Sequence, residues 1–224
     1  MSSTRVALET PIKNECLRQI EPRIITYRKR KRLLDIFCSG VLLLLLFPLL
    51  LAIAVLIKAT SKGPVFYVTQ RVGFMGRSFP FYKFRSMYTD AEKRLSELKA
   101  QNEKDGPIFK MKNDPRITPV GRFLRKYSLD ELPQLISVFL GHMSMVGPRP
   151  QLPAEVECYD EFAAQRLSVR PGLTCYWQIM GRSDLTFEEW MELDNRYLKE
   201  MGVWTDLKIL AKTPMAILRG DGAY

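Results

Sequence analysis

The chain has 224 residues, 46% of them hydrophobic and 26% charged, which excludes a disordered tail and leaves room for one sizeable domain plus an appendage. With 34 Lys and Arg against 24 Asp and Glu the net charge is +10, so the expected partners are anionic: nucleic acid, an acidic membrane surface or phosphorylated small molecules. Cys16, Cys38, Cys158 and Cys175 show no C-x-x-C spacing and His142 is the single histidine, which argues for reduced thiols over a zinc site or a disulfide framework.

Residues 1–32 form a basic N-terminal segment ending in "RKRKR", Arg28 to Arg32. From Ile36 to Ile57, "IFCSGVLLLLLFPLLLAIAVLI" carries no charge, and as a helix it would reach about 33 Å, enough to cross a bilayer core. The 35 residues ahead of it are too long for the charged head of a signal peptide. Pro48 sits near the middle of the run, where it removes a helix hydrogen bond and crowds the preceding turn. Basic residues lie on both sides, with Lys58, Lys62, Arg71, Arg77, Lys83 and Arg85 following the run. Both ends therefore read as cytoplasmic. Two arrangements remain open on pattern alone: a re-entrant helix over residues 33–58 that bends at Phe47-Pro48 and leaves by the face it entered, or a kinked ordinary span.

Residues 59–224 read as a water-facing domain. "PVFYVTQRVGFMGRSFPFYKFRSM", Pro64 to Met87, predicts a hairpin around Gly73 and Gly76. Thr89 to Gly106 predicts a charged surface helix, followed by a loop carrying "DPRITPVG". "LISVFLG" predicts a short buried helix closed by Gly141, and "MVGPRP" a turn. Ala154 to Val169 predicts a helix, Arg170 to Arg182 a turn, strand and turn, and Thr186 with Glu189 a capping box opening the next helix. The last predicted helix, Val203 to Gly220, is amphipathic and suits either the headgroup layer or the domain core.

"SLDELPQL", Ser128 to Leu135, places two acids together just before a proline. Ser128 and Glu131 fit a capping box, but a helix capped by Ser128 would put Pro133 at its fifth position, where the missing N–H is already needed. A start at Asp130 tolerates Pro133 and leaves the Asp130 carboxylate freer. Around these acids, Arg116, Arg122, Arg125, Arg149, Arg170 and Arg182 recur in turn-like contexts, which suits forked binding of phosphate oxygens. Amid such cations Asp130 is expected to hold a low pKa and stay an anion able to attack phosphorus. Paired acids with a phosphate ligand also suit Mg²⁺. Residues alone thus reach phosphate chemistry at a membrane surface.

"YKFRSM", "DPRITPVGRFLRKYSLDELPQL", "GHMSMVGPRP" and "VRPGLTCYWQIMGR", with the proline-containing apolar helix, resemble the bacterial sugar transferases, the monotopic polyprenyl-phosphate phosphoglycosyl transferases. The resemblance runs from about Arg30 to about Leu218. It implies an α+β fold, a mostly helical cytosolic domain with short strands plus one proline-broken re-entrant membrane helix and amphipathic interfacial helices. It also implies transfer of a sugar-1-phosphate from a nucleotide sugar, typically a UDP-sugar, to undecaprenyl phosphate with release of UMP, at the cytoplasmic face of the bacterial inner membrane. In that scheme Asp130 is the nucleophile that forms a phosphosugar-aspartyl intermediate and Glu131 helps hold Mg²⁺. Lys83, Arg125 and Arg149 match phosphate-contacting positions, with Arg170 and Arg182 as further candidates. The resemblance favours the re-entrant helix broken at Pro48, although relatives often carry Ser-Pro where this chain has Phe47-Pro48. The competing reading is a membrane-anchored basic binding protein without catalysis; the absence of a basic tract interleaved with aromatics argues against a nucleic-acid partner.

Overall fold

A computed structural model describes residues 22–98, 102, 111, 113–181 and 185–219. They form a mostly helical domain with four short strands, and one long apolar helix leads into it.

Helix α1 runs from Pro22 to Thr60 with Pro48 inside it. Its Tyr27–Thr60 stretch has a mean hydropathy of 3.1 at its most apolar and is long and apolar enough to cross a membrane. The break expected at Phe47-Pro48 does not interrupt the helix. A proline removes one hydrogen bond and strains one turn, and here the turns on both sides are held by the domain. Ahead of Pro48, Cys38, Leu42, Leu43 and Leu46 pack against the main core, and after it Leu50, Ile53 and Ile57 pack with Phe84 and Leu124. Steps of three and four residues place these side chains on one stripe along α1. The other faces expose Leu33, Phe37, Leu44, Leu45, Leu51 and Val55.

Polar groups pin the start of the stripe. Lys31 is ion-paired with Asp206, which also accepts hydrogen bonds from Tyr27 Oη at 2.7 Å and Tyr197 Oη at 2.9 Å. Asp35 Oδ1 accepts from Ser144 Oγ at 3.0 Å and from the Met145 amide at 2.9 Å. All of these except Tyr27 are buried, so each charge brings its own partner rather than facing an apolar interior alone.

Strands β1 (Phe66–Val72) and β2 (Ser78–Phe84) pair antiparallel, with Tyr67 opposite Lys83 and Arg71 opposite Phe79. Their connection passes through Met75 and Gly76, both at positive φ, as a tight reversal requires. Helix α2 (Ala91–Leu98) forms the first part of the helix predicted from Thr89; Asn102 is not helical, and the predicted end at Gly106 lies outside the described residues. Helix α3 (Pro119–Lys126) then begins inside the predicted loop, taking its last residues Pro119 to Gly121, because Thr118 caps it by accepting from the Gly121 amide at 2.9 Å and Pro119 suits its first turn. Helix α4 (Gln134–Leu140) is closed by Gly141 at φ 89°, as predicted.

Strand β3 (Ser144–Val146) pairs in parallel with β4 (Gly172–Thr174). Between them, the single helix predicted over Ala154 to Val169 is instead α5 (Pro153–Val156), α6 (Glu161–Ala164) and a 3₁₀ turn, Gln165–Ser168. Asp160 restarts the chain by accepting from the Ala163 amide at 2.8 Å, so a capping residue divides the segment. The strand predicted within Arg170 to Arg182 stops at Thr174, and helix α7 (Tyr176–Met180) follows. Packing decides this: Cys175 and Trp177 are buried in a cluster with Ala163, Trp190 and Met191. Helix α8 (Phe187–Glu200) opens on the predicted Thr186/Glu189 capping box, and α9 (Val203–Arg219) fills the last predicted helix up to Gly220, which lies outside the described residues. The main core joins Phe79 and Phe81 of β2, Leu135 and Val138 of α4, Met145 and Val146 of β3, Tyr197 of α8 and Ile209 of α9.

Candidate active site

The acids sit where three elements meet. Helix α3 ends at Lys126, Ser128 takes a left-handed conformation at φ 52°, and a 3₁₀ turn, Leu129–Glu131, leads through Pro133 into α4. A serine in that conformation is strained by roughly 1 kcal/mol or more, and its hydroxyl makes no cap. The capping box proposed for Ser128 and Glu131 therefore does not form. Glu131 is engaged elsewhere.

Its Oε1 accepts from Lys83 Nζ at 2.6 Å and from Arg149 Nη2 at 2.5 Å, while Oε2 accepts from Arg149 Nη1 at 3.1 Å. The Arg149 contact is the two-pronged guanidinium–carboxylate form. Lys83 comes from β2 and Arg149 from the loop after β3, so Glu131 ties the hairpin, the 3₁₀ turn and the parallel ladder together. Asp130 is only 4% exposed, and neither of its oxygens accepts a hydrogen bond from the described residues. Lys83 Nζ stands 3.8 Å from Asp130 Oδ2. Arg125 of α3 is close enough for its charge to act on Asp130, and its Nε donates to Ser86 Oγ at 2.9 Å. That contact depends on Gly121, where a Cβ would lie 1.9 Å from the Ser86 carbonyl oxygen, so α3 reaches this strand end only with a glycine there.

The two acids are driven apart electrostatically. Burial alone would raise Glu131, but Arg149 and Lys83 more than reverse it and hold the carboxyl well below the usual range. Burial pushes Asp130 above the usual carboxylate range; Lys83 pulls it back and the Glu131 charge adds to the rise. The low Asp130 pKa expected from its cationic surroundings is thus corrected: desolvation is the larger effect, and Glu131 absorbs most of the compensating charge. Burial lowers Lys83, opposed by both acids.

Of the five basic residues that the resemblance marks as phosphate contacts, Lys83, Arg125 and Arg149 converge on the acid pair, whereas the turn arginine Arg116 is instead paired with Asp114 at 2.6 Å. Arg170 does not join the acid pair. Its Nε donates to the Gly141 carbonyl at 2.9 Å, at the C-terminal end of α4, whereas the acids precede its N-terminal end. Seven helical residues span about 10 Å, which separates the two positions. Arg182 lies outside the described residues.

Two further arginines belong to the site and were not singled out for it. Arg71 stacks over Phe81 at 5.4 Å, with Lys83 over the same ring at 5.6 Å, and it lies 3.6 Å from Glu155. The period-two alternation of the hairpin carries the signal: Arg71 opposite Phe79 shares a face with Phe81 and Lys83. Arg166, 3% exposed, donates through Nη2 to the Arg149 carbonyl at 2.7 Å, pairs with Asp194 at 2.6 Å and donates through Nη1 to Tyr159 Oη at 2.7 Å. Nothing in the local sequence distinguishes it from a surface helix arginine.

Among the described residues no group of three or more His, Cys, Asp or Glu side chains is placed to hold a metal. Asp130 and Glu131 offer two carboxylates, a number that suits Mg²⁺ when phosphate oxygens and water complete its shell. Asp130, Glu131, Lys83 and Arg149 already cancel in formal charge. The donor set therefore fits an ion that arrives with an anionic diphosphate.

The sequence pattern of the bacterial sugar transferases matches residues 26–220, and the chain belongs to that family. It is 46% identical over 202 residues to the undecaprenyl-phosphate galactose phosphotransferase of Salmonella typhimurium, a match covering 87% of this chain and 41% of that protein. It is 44% identical over 195 residues to the galactosyl transferase CpsE of Streptococcus agalactiae, covering 86% and 43%. With the exopolysaccharide production protein ExoY of Rhizobium meliloti it shares 42% identity over 198 residues, 87% of this chain and 88% of that one. The chain thus spans about two fifths of the first two relatives and most of the third.

Proposed function

We propose that the protein transfers a sugar-1-phosphate from a UDP-sugar to undecaprenyl phosphate, the opening membrane step of surface-glycan assembly, on the cytoplasmic face of the bacterial inner membrane. The observation that carries this reading is the division of labour between two adjacent buried acids: Glu131 is bonded by both neighbouring cations, while the Asp130 oxygens accept no hydrogen bond from the described residues. The names of the relatives, undecaprenyl-phosphate sugar phosphotransferases among them, support the same chemistry.

In the proposed reaction an Asp130 carboxylate oxygen attacks the β-phosphorus of the donor. The bond from that phosphorus to the oxygen bridging it to the α-phosphorus breaks, UMP leaves with the bonding pair, and an acyl phosphate joins Asp130 to the sugar. An oxygen of undecaprenyl phosphate then attacks the same phosphorus and Asp130 departs as a carboxylate. Burial favours both halves, since a desolvated carboxylate of raised pKa is a better nucleophile and an excluded-water site protects the acyl phosphate from hydrolysis. Lys83, Arg125 and Arg149 are placed to meet the charge on the phosphoryl oxygens, and Glu131 fixes two of them. Mg²⁺ bound by Glu131 and the donor diphosphate would supply further neutralisation of the leaving UMP.

The membrane arrangement we propose is re-entrant, with residues 33–58 entering and leaving by one face. Its support is the stripe of domain contacts on both sides of Pro48, which keeps both halves of α1 against the domain. The exposed apolar face of α1 and the exposed Trp204, Leu207, Met215 and Leu218 of α9 give lipid a surface to cover. The purified protein should release UMP from a UDP-sugar in the presence of Mg²⁺ and undecaprenyl phosphate. No turnover across a broad panel of donors would leave the membrane-anchored binding protein as the reading.

A further inference from the structure

Away from the acid pair, the C-terminal end of α4 gathers a second set of cations. Arg32 donates through Nη1 to the Val138 carbonyl at 2.6 Å and through Nη2 to the Phe139 carbonyl at 2.7 Å, and Arg170 donates to the Gly141 carbonyl. These bonds cap α4 and account for part of each guanidinium. They do not account for Arg28, one turn before Arg32 on the same face of α1, whose guanidinium lies 4.1 Å over the Phe74 ring and makes no hydrogen bond among the described residues. Nor do they balance the charge. Among the described residues no carboxylate lies within ion-pair distance of Arg28, Arg32 or Arg170; Lys31 is matched by Asp206, and Asp35, hydrogen-bonded by Ser144 and Met145, acts on Arg32 only from beyond that distance. Burial lowers the pKa of Arg28 and of Arg32, and in each case the charge of Arg170 lowers it further, with Asp35 opposing the shift at Arg32 but not outweighing it. Like charges held together without a counter-ion are costly unless an anion joins them.

A cleft opens beside this cluster, lined by Arg28, Lys31, Asp35, Ser144, Arg170 and Tyr197, with Arg32 adjoining it one turn along α1 from Arg28. Its depth relative to a membrane follows from α1. Ile36, where the apolar run begins, is four residues beyond Arg32 and eight beyond Arg28, or about 6 and 12 Å along the helix. That is the layer in which lipid phosphates lie when the apolar run is in hydrocarbon.

We propose that Arg28, Arg32 and Arg170 form a binding site for the phosphate of an anionic glycerophospholipid, separate from the acid pair and set at the opposite end of α4. The site seats the domain on the bilayer at a fixed rotation about α1, because its third arginine comes from the segment leading into β4 rather than from the helix. It rests on the reading of α1 as a membrane helix.

The test uses the full chain purified in detergent and native mass spectrometry of retained lipid, titrating phosphatidylglycerol against phosphatidylcholine. Phosphatidylglycerol should be retained in preference. Arg28→Gln leaves the α4 cap untouched and should weaken that retention about fivefold, the effect of roughly one basic group at an anionic surface. Arg30→Gln, an exposed residue of the same basic run, should change it less than twofold. Equal losses in the two variants, or no preference in the parent protein, would overturn the site in favour of diffuse charge. Undecaprenyl phosphate should add to bound phosphatidylglycerol; one-for-one displacement, with the same dependence on Arg28, would assign the cluster to the acceptor and overturn the proposal. Flotation with neutral phosphatidylcholine vesicles reads the apolar surfaces of α1 and α9 without the anionic site, so a failure there marks the loss of the membrane reading itself.

Discussion

Asp130 and Glu131 share a backbone turn and differ in everything that decides their chemistry. Glu131 holds its charge by contact with Arg149 and Lys83, and Asp130 is left buried with a raised pKa. Behind Arg149 stands Arg166, itself paired with Asp194, whose pKa burial raises to about 6 against the pull of Arg166. Because this folded value lies above the ordinary aspartate value, the contribution of Asp194 to stability is present below about pH 4 and is lost as pH rises through about 6. Activity should run the other way. Protonation below about pH 6 releases Arg166 from its counter-charge and loosens the Arg149 carbonyl, so the rate profile should show an acidic limb near 6. Asp194→Asn should lower the rate throughout and remove that limb; a limb of the same midpoint in the variant would detach Asp194 from the site. The pair of acids was legible in the sequence because Pro133 restricts where the helix can start. Arg71 and Arg166 were not, since only tertiary packing brings them there. Turn-borne arginines look alike whether they bind phosphate or cap a helix, which is why Arg170 was grouped with Arg149. The direction of the Asp130 shift was missed for a related reason, as burial is not written in local sequence.

Among the elements, α3 is placed by one residue. Its approach to Ser86 leaves no room for a side chain at Gly121, and the same approach positions Arg125 beside Asp130. Gly121→Ala should force α3 away from Ser86 and destabilise the fold by about 1–3 kcal/mol, read as a fall in melting temperature, with a parallel loss of turnover. An unchanged melting temperature would show that α3 is free to shift. The hairpin, α4, α8 and α9 were legible from alternation, a closing glycine, a capping box and amphipathic spacing. The segment from Pro153 to Met180 was not, because Asp160 divides it and burial of Cys175 and Trp177 makes helix of what reads as strand. The continuity of α1 through Pro48 escaped the sequence as well: the helix is held by contacts with Phe84, Leu124 and the main core, all of them distant in the chain.

At the scale of the whole molecule, α1 is both the membrane element and a wall of the domain. Lys31, Asp35, Ser39, Ile53 and Ile57 are buried along it while its other faces stay apolar and exposed. Both ends should therefore lie on one side of the bilayer. Single cysteines placed at residues 29 and 62 in a cysteine-free background should react from the cytoplasmic face alone; labelling from opposite faces would replace the re-entrant arrangement with a span.

The central claim is covalent, and one measurement addresses it directly. Incubated with a UDP-hexose and Mg²⁺ in the absence of lipid acceptor, the intact protein should gain the mass of one hexose phosphate, carried on the peptide containing Asp130 and lost on adding undecaprenyl phosphate. Asp130→Asn should show neither adduct nor turnover. Full turnover by that variant, or an adduct mapped to any other residue, would contradict the account.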